Sequence, residues 1–393
     1  MTTTGHTYKK EVLLADERNR DMAAVIKYGP YLFLSSSDGN RDPKTEVLDP
    51  SLDWQAVPQC HNAYGRQALR LEKAGYRGDD AIWIENYTSG QHWRLERMAT
   101  WPDHFGEVGH AQAVSFGAQT KMAGTNMLTA VVQALTPDIE REILVPQPTR
   151  GRASRITRAG DFTYVIGVRG RTNPFTEAEA PEETPDQFDV ETFYTYEWLR
   201  SHLEKGGGGI GDFVRTDAAL RRAADAPHYR EELKKLLGGR LGLAIYSVGT
   251  QLGGHGVMEI GGIAVNPGGT KEIAWSQEDP DMAQTIKANG LVFTSGASGL
   301  ADEKTGEVKQ ELYGDPIGQT KQALRRLEAG LSRFDVGLEN TLRLDVFLDD
   351  IYFEDQFIRT AKEFFGGSPP TMNIIGVDLE HNAEVELSAV AGA

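Results

Sequence analysis

The sequence predicts an α/β fold built from three copies of one unit, because three landmarks recur along the chain. The first landmark is an apolar β-type run whose central aromatic residue appears as Phe33, Tyr164 and Phe293, spaced by about one third of the 393 residues. The second is a helix pattern that ends in glycine and leads into an alternating strand. The third is a glycine that closes a second helix. Three landmarks that agree in order and spacing favour internal repetition.

Each unit is predicted to run strand, helix, strand, helix and two further strands. The helices have apolar residues spaced to bury one face, and a terminal glycine can adopt the left-handed conformation that ends a helix. The expected helices cover 62–75, 190–209 and 317–330, and the alternating strands that follow cover 81–87, 213–218 and 342–348. The expected units cover 1–145, 150–268 and 272–393, with an acidic loop insertion at 171–188 in unit two.

Composition narrows the classes of partner and compartment. The chain has 41 Lys+Arg against 57 Asp+Glu, a formal net charge of −16 that opposes a phosphate backbone, so no nucleic-acid partner is expected. It has no apolar run of about 18 residues, so no membrane span is expected. The single cysteine, Cys60, argues against a disulfide framework and favours a reducing, cytoplasmic location.

Five segments of unit three occur in an order and spacing that resembles the Rid/YjgF superfamily (RidA, also called L-PSP endoribonucleases). They are 291–296 (LVFTSG), 319–324 (QTKQAL), 342–350 (LRLDVFLDD), 364–370 (FFGGSPP) and 384–391 (EVELSAVA). The resemblance weakens through units two and one. It implies chorismate-mutase-like units that form a pseudotrimer in one chain, with a central β-barrel, helices outside and a cleft at each interface.

The resemblance also implies chemistry, since family members hydrolyse enamines and imines to a keto acid and ammonia. A glutamate on the last strand transfers protons and a Ser-Gly pair lines the pocket. The last-strand glutamate is similar to Glu386 in unit three and Glu259 in unit two, which are the expected catalytic groups. The pocket wall is similar to Ser295 and Gly296 in unit three and to Ser36 in unit one.

Two features depart from the family. Unit one has Met127 at the assigned glutamate position, and Met372 stands where the family has the arginine that anchors the substrate carboxylate. We expect Arg169, Arg171 or Arg230 to bind a carboxylate instead, because a guanidinium can do so with two parallel hydrogen bonds. The alternative is that these three arginines are solvated surface residues.

These observations predict hydrolytic deamination of an enamine or imine carboxylate, with a 2-aminomuconate-like intermediate of aromatic degradation as the suggested substrate. One alternative is a non-catalytic metabolite-binding or regulatory protein, and another is a different hydrolase or lyase on a chorismatase-like pseudotrimer. No cofactor or metal is expected, since His104, Glu107 and His110 lack the spacing of a helical zinc pair. The expected assembly is a monomeric pseudotrimer or a small oligomer of pseudotrimers.

Overall fold

The same order of strands and helices recurs three times, which confirms the predicted α/β class. The structure is a computed structural model that describes residues 8–16, 22–45, 47–90, 99–106, 113–119, 121–146, 154–176, 178–180, 182, 184–252, 256–302 and 305–393. Among these residues, no helix is long and apolar enough to cross a membrane.

The elements of each unit are as follows. Unit one contains β1 (Lys10–Ala15), β2 (Ala23–Tyr28), β3 (Tyr31–Leu34), β4 (Ser37–Asp38), α1 (Ala56–Lys73), β5 (Ala81–Thr88), α2 (Pro102–Phe105), β6 (Ala113–Gln119) and β7 (Leu128–Leu135). Unit two contains β8 (Arg141–Pro146), β9 (Ser154–Ala159), β10 (Phe162–Val168), α3 (Gln187–Lys205), β11 (Phe213–Leu220), α4 (Ala226–Leu236), β12 (Ala244–Gly249) and β13 (Met258–Val265). Unit three contains β14 (Glu272–Trp275), β15 (Ala283–Ala288), β16 (Leu291–Thr294), β17 (Ala297–Ser298), α5 (Pro316–Leu331), β18 (Thr341–Leu348), α6 (Glu354–Ala361), β19 (Thr371–Gly376) and β20 (Val385–Gly392).

Helix α5 shows how local sequence sets an element. The Asp315 side chain caps its first turn by accepting a hydrogen bond from the Gly318 backbone N–H at 2.9 Å, and Pro316 stands at the first helical position. Both choices suit a helix start, where backbone N–H groups have no partner inside the helix. Ala323 and Leu327 then bury one face of the helix in the core of unit three.

Within every unit the last strand lies in the middle of the sheet. The order is β3-β7-β5-β6 in unit one, β10-β13-β11-β12 in unit two and β16-β20-β18-β19 in unit three. The final two strands of each order are parallel and are joined by a connection that contains a short helix. Strand β6 pairs with β9 through Ala113 and Ser154, so units one and two share one sheet.

Hydrogen bonds also join the remaining pairs of units. The Gly296 N–H donates to the Ile245 carbonyl at 2.8 Å, which links unit three to unit two. The Ser36 N–H donates to the Met372 carbonyl at 3.2 Å, which links unit one to unit three. Hydrogen bonds therefore connect all three pairs of units, as a pseudotrimer requires. Closure of the strands into a barrel stays a prediction.

The segment expected as an insertion in unit two has counterparts of equal length. An isolated antiparallel bridge joins Thr172 to Glu179, and matching bridges join Arg41 to Leu48 and Ala301 to Val308. In each unit the long helix begins the same distance after the bridge. The prediction of an insertion at 171–188 is therefore wrong: its acidic composition marks a turn that all three units possess.

Candidate active site

Strand register gives an internal alignment of the three units. The residues paired with the central aromatics Phe33, Tyr164 and Phe293 are Gln133, Ile263 and Val390. Four residues before these stand Thr129, Glu259 and Glu386. The two assigned glutamates thus occupy matched positions, but unit one carries Thr129 there and not Met127.

Glu386 lies against the glycine of the Ser-Gly pair. It sits on β20, paired with Ser298, and only 9% of it is exposed. A Cβ atom added to Gly296 would lie 2.2 Å from Glu386 Oε1, so a larger residue cannot stand there while the carboxyl keeps its place. The same Cβ would be 3.5 Å from Tyr246 Cβ on β12, which places this site at the junction of units two and three.

The surroundings of Glu386 favour proton transfer near neutral pH. Burial raises the pKa of its carboxyl to about 7, and the nearby Glu380 adds to this effect. Arg230 and Arg326 offset part of the rise. A carboxyl with a pKa close to the working pH can both accept and return a proton, which is the behaviour expected of a general acid–base group.

Arg230 reaches the same junction from helix α4 of unit two. Its two terminal nitrogens each donate to one oxygen of Glu380 at 2.9 Å, so the guanidinium grips a carboxylate of unit three with two parallel bonds. Arg230 is therefore no solvated surface residue. It is the one among the three candidate arginines that lies beside Glu386, and the carboxylate that it holds belongs to the protein.

The other two candidate arginines serve unit two. The Arg169 Nε donates to Glu259, its neighbour across the strands, and the Glu259 side chain is 9% exposed. Arg171 donates to the buried carboxylate of Glu191 at 2.7 Å and to Glu182. Both arginines are thus paired with carboxylates, and the structure does not bring either of them to Glu386.

At the junction of units one and three, Thr129 stands at the position matched to Glu386. The Thr129 hydroxyl donates to Asp38 at 2.8 Å, and the Ser36 N–H and hydroxyl both point at the Met372 carbonyl, at 3.2 and 3.5 Å. The cavity beside them measures about 20 Å³. Ser36 therefore makes a contact between units, and this junction has little room for a substrate.

The family's anchoring arginine has no counterpart in the described strands β12 and β19. Register matches Thr371 with Ala244, because each pairs with the arginine at the equivalent position of the preceding strand. Met372 then matches Ile245. No residue among these four can form a paired hydrogen bond with a carboxylate.

Two groups of side chains bear on metal binding. Glu107 and His110 lie outside the described residues, while His104 Nε2 lies 3.1 Å from His61 Nδ1. A separate group on helices α3 and α4, formed by Asp189, His228 and Glu232, brings one ligand atom from each side chain within 4.8 Å of the others. Two members of the second group, His228 and Glu232, lie on the same helix as Arg230, two residues away from it on either side.

Sequence reasoning missed Glu380 and Tyr246. Tyr246 reaches the site from unit two, and Glu380 is held there by Arg230 of unit two; no pattern inside one unit signals such contacts between units. The match of Thr129 with the two glutamates also needed the strand register, because it is counted from the residue that pairs with the central aromatic of each unit.

Comparison with known proteins finds sequence similarity in unit three and structural similarity over most of the chain. A family model described as endoribonuclease L-PSP matches residues 280–393. A RutC family protein from Pyrococcus horikoshii is 29% identical over 126 residues, which cover 31% of this chain and 97% of that protein. A RutC family protein from Pyrococcus abyssi is 26% identical over 126 residues, with coverage of 31% and 96%. The crystal structure of a chorismatase is similar with a TM-score of 0.52 at 14% identity, and the match covers 80% of this chain and 93% of that one.

Proposed function

Because residues 280–393 match the model of the endoribonuclease L-PSP family, also known as Rid/YjgF, we propose that the protein hydrolytically deaminates an enamine or imine carboxylate. We place the reaction at the junction of units two and three. The observation that carries the proposal is the buried Glu386 carboxyl, whose pKa is raised to about 7 and which lies against Gly296.

The proposed reaction needs one group that moves protons twice. Glu386, as carboxylate, takes a proton from water while the water oxygen bonds to the imine carbon. The protonated Glu386 returns that proton to the nitrogen, which gives a carbinolamine. Glu386 then takes the proton of the new hydroxyl group and passes it to the amino nitrogen, so the C–N bond breaks as C=O forms, and ammonia leaves a keto acid. Arg230 holds the substrate carboxylate by exchanging it for Glu380, since the two carboxylates present the same pair of oxygens to the guanidinium.

The other junctions are weaker candidates for this reaction. Glu259 is ion-paired with Arg169, so its carboxylate is already engaged by a side chain of the protein. Thr129 supplies no carboxyl group at the matched position of unit one. A dicarboxylic enamine of the 2-aminomuconate type fits the loss of the usual arginine, because a second carboxylate offers a second point of attachment.

The test is ammonia release from a panel of freshly generated enamines, 2-aminoacrylate and 2-aminomuconate included. Glu386→Gln should lower turnover about 100-fold or more, since that is the usual contribution of a general acid–base group. Glu259→Gln, the matched change in unit two, should have little effect. The wild-type rate should rise as the pH passes through about 7, because the carboxylate form of Glu386 activates the water.

Three results would count against the proposal. Unchanged turnover in Glu386→Gln would remove this residue from the mechanism. Loss of turnover only in Glu259→Gln would move the reaction to the other glutamate. A protein that is stabilised by small carboxylates but releases no ammonia from any enamine would support a non-catalytic binding role.

A further inference from the structure

Unit three contains a cavity of about 110 Å³ between helix α5 and the strands β15 and β16. Its walls include Ser276, Ser295, Gly296, Arg326 and Gly330, whereas Glu386 is not part of them. The cavity therefore borders the proposed reaction site through the Ser-Gly pair but is a separate space.

The helices that border this space can be matched between the units. A Cβ added to Gly39 would lie 2.6 Å from the carbonyl oxygen of Gln59. A Cβ added to Gly299 would lie 2.6 Å from the carbonyl oxygen of Gln319. These two glutamines are therefore equivalent. Counting along the helices from them places Arg70 of unit one at the position of Gly330 in unit three.

In unit one, the side chain of Arg70 reaches into the corresponding space, where a cavity of about 30 Å³ remains. Its guanidinium donates to the backbone carbonyls of Ser35 at 2.8 Å and Ser36 at 3.1 Å. The other terminal nitrogen donates to the buried Asp16 carboxylate at 3.0 Å. The space in unit one is thus built around a guanidinium group.

Unit two fills the same space in another way. His202 stands at the position of Arg70, is 1% exposed and stacks on Trp198 with ring centroids 5.1 Å apart. Arg155 lies over the Trp198 ring at 5.2 Å. Side chains of the protein therefore occupy the space in two of the three units.

Unit three keeps the two carbonyl acceptors, has Ser276 at the position of Asp16 and supplies no occupant. The carbonyls of Ser295 and Gly296 correspond to those that bind Arg70, and Gly330 has no side chain to reach them. Glu278 and Asp279 add two carboxylates to the wall. Arg326 and Lys234 hold these at 2.7 and 2.8 Å, so the two carboxylate charges are balanced, and the two carbonyls are the acceptors that N–H donors of a ligand would meet.

We propose that this cavity binds a small guanidinium-type cation supplied by a ligand, in the place that Arg70 occupies in unit one. A planar group with several N–H donors matches carbonyl acceptors that converge from one side. The net charge of −16 favours entry of a cation over an anion. This binding site is independent of the deamination proposed above.

Isothermal titration calorimetry of the full chain with methylguanidinium chloride at low millimolar concentration tests the proposal. Wild type should bind one equivalent, and Gly330→Arg, which places in unit three the side chain that unit one has, should bind none. Tetramethylammonium, which carries the same charge without N–H donors, should not bind. Absence of binding to wild type, or equal binding by Gly330→Arg or by tetramethylammonium, would overturn the proposal.

A second variant keeps the test decisive if Gly330→Arg does not fold. Arg70→Ala opens the space in unit one and leaves Asp16 without this cation, so its unfolding temperature should fall. Methylguanidinium should raise that temperature more than it raises the temperature of wild type, and the binding stoichiometry should increase from one to two. An Arg70→Ala protein that gains no second site would show that this space does not select a guanidinium group.

Discussion

Glu191, which stands where units one and three have a glutamine, explains why unit two needs Arg171. In units one and three a helix glutamine binds the backbone that leads into the last strand: Gln59 accepts from the Met127 N–H at 2.7 Å and Gln319 from the Glu384 N–H at 2.8 Å. Glu191 does the same in unit two, accepting from the Val257 N–H at 2.8 Å. The carboxylate keeps the hydrogen bond but introduces a buried charge, which Arg171 neutralises.

Arg171→Leu should therefore lower the free energy of unfolding by on the order of 3 kcal/mol, because it leaves the Glu191 charge buried without that partner. Adding Glu191→Gln, which installs the residue found in the other two units, should restore most of this loss. Urea denaturation of the two single variants and the double variant measures the coupling. A double variant as unstable as Arg171→Leu would mean that Arg171 does not serve Glu191.

At the scale of elements, two serine hydroxyls join strands of neighbouring units. Ser295 Oγ accepts from the Ile245 N–H at 3.1 Å and donates to the Ala283 carbonyl at 2.7 Å. Ser35 Oγ makes the equivalent bonds in unit one, from the Met372 N–H at 2.9 Å and to the Ala23 carbonyl at 2.7 Å. The Ser-Gly wall that the family resemblance assigns to the pocket thus also holds units together.

Ser35→Ala and Ser295→Ala should each lower the free energy of unfolding by about 1–3 kcal/mol, because each removes two hydrogen bonds and leaves an edge-strand N–H unpaired. The losses should add in the double variant, since the two serines share no hydrogen-bond partner. Chemical denaturation followed by circular dichroism measures all three values. Variants as stable as wild type would show that backbone pairing alone joins these strands.

Predictions that rest on local sequence patterns largely agree with the structure, whereas contacts between units could not be predicted from the sequence. The strand after the first helix of unit three was expected at 342–348 and is β18, because alternation of apolar residues is a local signal. Helix α1 begins at Ala56 and not at 62, and its first turn contains Pro58, a residue that a helix tolerates only near its start. The partner of Arg230 could not be read from the sequence, because Glu380 lies in another unit.

At the scale of the whole molecule, buried charges from all three units meet. Matched positions carry Trp83, Arg215 and Arg343, and two residues further along the strands carry Glu85, Asp217 and Asp345. Arg343 binds Asp345 at 2.8 Å and Glu85 at 2.7 Å, and Arg215 binds Asp217 at 2.6 Å and Asp345 at 2.7 Å. Each arginine therefore bonds an acid of its own unit and one of another unit.

Trp83 breaks this pattern and leaves three acids for two arginines. Its indole N–H binds Glu85 at 2.8 Å but offers nothing to Asp217. Burial raises the pKa of Asp217 to about 6, Arg215 offsets part of the rise, and Glu85 adds to it. Although burial alone would raise the pKa of Asp345, Arg343 and Arg215 hold it below its usual range. The imbalance is thus concentrated on Asp217.

This imbalance predicts opposite effects for two matched substitutions. The folded protein holds the Asp217 proton more tightly than the unfolded chain, whose aspartates titrate near pH 4, so this group destabilises the fold as the pH rises from about 4 to about 6. Asp217→Asn should remove that loss and make the protein more stable than wild type above about pH 6. Asp345→Asn should destabilise the protein across the same range, because a charged acceptor for both arginines is lost.

Urea denaturation at several pH values between about 4 and 8 tests this prediction. The free energy of unfolding of each variant is compared with that of wild type at each pH. The difference between Asp217→Asn and wild type should grow in favour of the variant as the pH rises and should level off above about 6, where Asp217 of the wild type has lost its proton. A difference that does not change with pH would mean that Asp217 is charged throughout. The three acids would then be balanced by the two arginines and by hydrogen-bond donors alone, as Trp83 does for Glu85.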